Sequence, residues 1–82
     1  MEKMSFKELF NNMTFDNGVK HIKILKNEYG ITFDKIALVM GISPSTLRGA
    51  VKLNSFRTYV GEKKVNQGIE NLKRFYLGSW GD

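Results

Sequence analysis

The chain has 82 residues, with 13 Lys and Arg against 8 Asp and Glu, a formal net charge of +5, no cysteine and one histidine. Without cysteine there is neither a disulfide framework nor a thiolate zinc site, and the length suits one domain whose core is barely sufficient, so every helix must contribute apolar surface. No stretch approaches the ~20 apolar residues of a membrane span, and the opening MEKMSFKELF lacks the apolar run of a signal peptide, so a cytoplasmic protein is expected.

Ser5-Phe6-Lys7-Glu8 has the form of a capping box. Phe6, Leu9, Phe10 and Met13 follow at helical spacing, which predicts a short amphipathic helix over about residues 5–13. Thr14 to Asn17 is a link in which Asp16 is the expected cap of the next helix. Val19, Ile22, Leu25 and Tyr29 share a face of that second helix, at about 17–29, and Gly30 ends it. Its other face, with Lys20, Lys23 and Asn27, reads as solvated surface. His21 lies at the edge of the apolar face. With no second histidine, cysteine or paired carboxylate nearby, it reads as a structural side chain rather than a metal or acid–base group.

The segment FDKIALVMGISPSTLRGAVK reads as helix, tight turn and helix, at about 32–53. Thr32 caps the first helix, and Phe33, Ile36, Ala37 and Met40 recur at three-to-four spacing. Gly41 stops it, since the turn needs a positive φ, and Ile42 plugs the corner. Ser43 is a good N-cap and Pro44 suits the first helical position, where its missing N–H costs nothing. Leu47, Ala50 and Val51 then face inward.

On these residues the segment resembles the DNA-binding helix-turn-helix of the lambda-repressor-like regulators. Ala37 is the small residue where the two helices cross, Gly41 stands four residues later, and Ile36, Met40, Ile42, Leu47 and Ala50 fill the apolar positions. The resemblance covers about 20 residues directly. It implies that the helix starting at Ser43 enters the major groove, with Ser43, Pro44, Ser45, Thr46, Arg48, Gly49 and Lys52 outward. Arg48 suits a bidentate bond to guanine, Ser45 and Thr46 reach bases or a phosphate, and Lys52 binds backbone. Asn54, Ser55 and Arg57 in the following loop are the further phosphate contacts that similar repressors suggest. The chain departs from the pattern at Phe33, Pro44 and Gly49, which offer no side-chain hydrogen bond, so direct readout is expected to be sparse. Gly49 in a recognition helix also suggests either close backbone approach to DNA or a surface never selected for groove docking. Leu38 and Val39 stand where such proteins are usually polar, and the N-terminal helix with Phe6 and Phe10 is the expected cover.

NSFRTYVG, from Asn54 to Gly61, lacks a helical period and reads as a loop pinned by its aromatics. Val65, Ile69, Leu72 and Tyr76 define a last helix over about 62–77, slightly weakened by Gly68. The tail GSWGD carries Trp80, which either folds back onto the core or meets another chain; with Phe75 and Tyr76 it makes a C-terminal aromatic group suited to a partner chain, while core packing accounts for Tyr76 equally well. The fold class expected is all-α, a bundle of about five short helices in one lambda-repressor-like domain over 1–82.

No nucleophile–base pair, metal cluster or phosphate-cradling glycine loop can be assembled, so neither catalysis nor a cofactor is expected. The positive excess is local: Arg48, Lys52, Arg57, Lys63 and Lys64 stand against Glu62 alone, while the first 29 residues are nearly balanced. The net charge alone fits a polyanionic partner or solubility equally well, but the excess lies on the parts that approach DNA in the family resembled. The resemblance therefore implies double-stranded DNA as partner and a sequence-specific regulator of phage or mobile-element size, working as a homodimer. The alternative is a protein-interaction module of the same fold, an antirepressor or recombinase modulator, meeting its partner through Leu38 and Val39 or the C-terminal aromatics.

Overall fold

Three of the five helices among the described residues start where a side-chain oxygen takes up a free N–H of the first turn. The computed structural model describes residues 5–78, and in it α1 (Phe6–Asn11) opens on a full capping box. The Ser5 hydroxyl accepts from the Glu8 N–H at 3.2 Å, and the Ser5 N–H donates to Glu8 Oε1 at 2.9 Å. Thr32 caps α3 (Phe33–Met40) by accepting from the Lys35 N–H, and Ser43 caps α4 (Pro44–Leu53) by accepting from the Thr46 N–H. Between these helices lies only the turn Gly41-Ile42-Ser43, with Gly41 at φ +81°, a conformation that a Cβ would strain.

The start of α2 (Gly18–Tyr29) departs from expectation, because its N-cap is Asn17 and not Asp16. The Asn17 side chain turns back on the preceding link, where its Oδ1 accepts from the Thr14 N–H at 2.6 Å and its Nδ2 donates to the Asn12 carbonyl at 2.9 Å. Asp16 points outward instead, toward Arg57. The last helix, α5, spans Glu62–Leu77.

The architecture is all-α, five helices around one core, and the described residues include no strand. The Cα radius of gyration of 11.8 Å matches the roughly 12 Å of a folded chain this long. α3 is the central helix, packing along α5 and against α4 and α2, while α5 also carries α1 and α2 also lies on α4. Leu9, Phe10, Ile22, Leu25, Ile36, Ala37, Leu47, Ala50, Val65 and Leu72 are fully buried, so all five helices supply the core. No helix among the described residues is long and apolar enough to cross a membrane.

One contact sets how closely α3 approaches α5. A Cβ added at Gly68 would lie 2.9 Å from Met40 Cε and 3.1 Å from Met40 Cβ, so the missing side chain is the space Met40 occupies.

α1 docks at the other end of α5, through rings. Phe10 stacks on Tyr76 at 5.5 Å between centroids, and Phe6 meets Phe10, Tyr29 and Tyr76 at 4.9, 5.0 and 5.9 Å. This overturns the expectation that α1 covers Leu38. The helix has only 6 residues, its aromatics are taken up between the ends of α2 and α5, and Leu38 is left 74% exposed. It also removes Tyr76 from the partner-seeking group, since that ring packs inside its own domain. Burial pushes the Tyr76 phenol above its usual range, and its hydroxyl has no hydrogen-bond partner among the described residues. Phe75 is 55% exposed, and Trp80 lies outside the described residues.

Candidate nucleic-acid interface

The apolar spacing of α4 buries Leu47 and Ala50, which turns Ser45, Arg48 and Lys52 to solvent on the opposite side. Ser43 and Pro44 are exposed at the start of the helix. Ser43 Oγ is engaged twice, accepting from the Thr46 N–H at 3.1 Å and lying 2.7 Å from Thr46 Oγ1. Its hydroxyl therefore holds the first turn, and Thr46 is half-buried beside it. Ser45 and Lys52 are exposed and have no side-chain partner among the described residues.

Arg48 is not free. One of its guanidinium nitrogens donates to Asp34 Oδ1 at 2.5 Å, tying the outer face of α4 to the first turn of α3. The two side chains are 59% and 63% exposed, and an ion pair so open to water contributes at most about 1 kcal/mol. Arg57 likewise faces Asp16 at 3.7 Å, with both side chains at least three-quarters exposed. Each arginine singled out from the sequence thus carries a carboxylate beside it.

The loop residues are engaged locally. Asn54 ends α4 in the left-handed conformation at φ +60°, which asparagine tolerates better than most residues, and its Oδ1 accepts from Lys23 Nζ at 3.0 Å. Ser55 Oγ accepts from the Arg57 N–H at 3.1 Å, a turn bond that shapes the loop. Lys23 belongs to the face of α2 that is expected to be merely solvated. It lies instead at the end of α4.

Gly49 differs from its expected role. A Cβ there would stand 2.6 Å from Cε1 and 2.7 Å from Cζ of Tyr59, so the ring of Tyr59 lies on α4 where a side chain would otherwise project. The space at Gly49 is filled by the protein's own loop rather than left for a nucleic-acid backbone. Tyr59 is 45% exposed and puts a phenol on α4 in place of the missing side chain. Tyr59 is one of the aromatics expected to pin the loop, and a glycine inside a helix is a signal for close approach; the sequence does not tell that the one approaches the other.

The face of α4 therefore combines Ser45, Arg48, Lys52 and the Tyr59 ring, with Lys23, Asn54 and Arg57 at its C-terminal end and Asp34 and Asp16 at its margins. A surface of this kind can bond base edges and phosphates, or meet a protein of complementary charge. Comparison with protein-family models, with curated proteins and with solved structures finds no match for the chain.

Proposed function

We propose that the protein is a sequence-specific double-stranded DNA-binding regulator, of the small phage or mobile-element repressor kind, that lays α4 in the major groove. The observation that carries this reading is the tight α3–turn–α4 unit, whose second helix buries Leu47 and Ala50 and turns a polar, basic face outward. Magnitudes favour release of Arg48 on binding. Its exposed pair with Asp34 contributes at most about 1 kcal/mol, whereas a bidentate guanine contact gives about 1–3 kcal/mol of discrimination. Lys52 and Arg57 then hold phosphates, and Tyr59 offers its phenol where Gly49 has nothing. A homodimer on a two-fold operator is the geometry that goes with such a unit.

The test is fluorescence anisotropy with duplexes selected from a random pool, beginning with the region beside the coding sequence and titrated with salt. The logarithm of affinity is expected to fall linearly with the logarithm of salt, at a slope near −0.9 per phosphate neutralised. Arg48→Ala should flatten the preference among sequences, while Lys52→Ala weakens all duplexes alike and lowers the slope by about 1. Asp34→Asn should raise affinity severalfold by freeing Arg48 and removing a negative charge from the margin. Absence of any shift at low salt, on selected and random duplexes alike, would remove the reading.

A second reading, a protein-interaction module such as an antirepressor or recombinase modulator, is favoured by the pairing of Arg48 with Asp34 and Arg57 with Asp16. It would be recognised by a protein affinity that does not respond to salt, in a chain that leaves DNA unshifted.

A further inference from the structure

Away from the outer face of α4, α3 and α5 leave an open groove of about 500 Å³ between them, lined by Lys35, Leu38, Val39, Asn71, Arg74 and Phe75. Its floor is apolar and unusually bare: Leu38 is 74% and Phe75 55% exposed. The sequence of α3 explains the floor. The helix buries Ile36, Ala37 and Met40, packs Val39 only partly against the core and leaves Leu38 in the open, so it has more apolar surface than its own domain covers.

The rim is cationic, and its charge is uncompensated. Lys35 Nζ lies over the Phe75 ring at 4.7 Å, and neither Lys35 nor Arg74 has an ion-pair partner among the described residues. The acids of the two helices are engaged or distant. Asp34 holds Arg48, Glu70 holds Lys73 at 3.5 Å, and Glu62 begins α5 three turns away from Arg74, about 18 Å along the axis.

The geometry points to this groove as a docking site for an acidic amphipathic helix of another protein, its apolar stripe on Leu38, Val39 and Phe75 and its carboxylates on Lys35 and Arg74. A groove between two helices fits the helix-in-groove mode of recognition. The charge selects against a second copy of the chain, because a two-fold contact here would set Lys35 and Arg74 against their own equivalents. The site shares neither Ser45, Arg48 nor Lys52 with the proposed DNA face, so the two stand or fall separately.

The test uses the full chain, labelled with ¹⁵N, and two synthetic helical peptides of about 16 residues with the same leucine stripe. One is flanked by glutamate and the other by lysine. The glutamate peptide is expected to shift the amides of residues 35–39 and 71–75 and to bind at least about tenfold more tightly than the lysine peptide. The double variant Lys35→Glu, Arg74→Glu should reverse that order, and Leu38→Ser, at an exposed position, should abolish both bindings with the thermal transition unchanged. Equal binding of the two peptides, or shifts confined to other surfaces, would overturn the proposal. So would sedimentation showing that the chain alone dimerises and that Leu38→Ser makes it a monomer. A failure here would leave the anisotropy of duplex DNA unaffected, which separates it from a failure of the regulator reading.

Discussion

Gly68 and Gly49 both sit inside helices, and both give room to a side chain from another element, yet they do different work. At Gly68 the visitor is Met40, buried, and its contacting atoms include a Cβ fixed to the backbone of α3. At Gly49 the visitor is the outer edge of the Tyr59 ring, on a side chain 45% exposed and able to swing away. The first contact fixes the distance between two helices. The second shapes a surface. A helical glycine therefore reports that something comes close, and the stiffness of the approaching atom decides whether the contact belongs to the core or to the binding face.

The largest test of that contrast is Gly68→Val, which must push α3 from α5 and is expected to lower unfolding free energy by about 2–3 kcal/mol, read from urea denaturation. A smaller loss, about 1–2 kcal/mol, is expected for Gly41→Ala. There no atom lies within 4 Å of an added Cβ, and the cost comes only from φ +81°. If Gly41→Ala were as costly as Gly68→Val, crowding would not be what distinguishes the α5 glycine.

The two tyrosines extend the comparison to the visiting rings. Tyr76 is held among Phe6, Phe10 and Phe75 with an unbonded hydroxyl, so Tyr76→Phe should raise stability by about 1 kcal/mol near neutral pH. Its phenol is raised in the folded state, so ionisation begins first in the unfolded chain, and stability must fall as pH climbs past about 10. The phenylalanine variant should lose less over that alkaline range, as thermal melts at stepped pH would register. The smallest effect is expected at Gly49→Ala. Alanine favours the helix by about 1 kcal/mol, the displaced ring takes back part of that, and a net rise of about 0.5 kcal/mol should accompany a changed Tyr59 ring resonance. A loss as large as that of Gly68→Val would mean that Tyr59 is locked in place and the contrast fails.

These cases also mark what could be read before any coordinates. Ser5 with Glu8, Thr32, Ser43-Pro44 and Gly41 carry their instructions within three or four residues, and the helix starts and the turn follow from them. The buried stripes were legible for the same reason, being local periodicities. What was not legible joins distant positions. Nothing in the spacing of Asp34 and Arg48, fourteen residues apart across a turn, announces their bond, and nothing places Tyr59 on α4 or Lys23 against Asn54. The cover expected for Leu38 failed because two aromatic ends, Tyr29 and Tyr76, competed for the same short helix and won. Asp16 was set aside by Asn17, whose carboxamide both donates and accepts and so could clasp the link.

The stacking of Phe10 on Tyr76 joins places near the two extremes of the described chain. Bringing them together closes almost the longest loop the sequence permits, a cost in chain entropy that only the finished interior of the other four helices can offset. α1 should therefore be the last helix to settle during folding and the first to detach. Its amides should exchange hydrogen with water by local opening, well before those of α3 and α5.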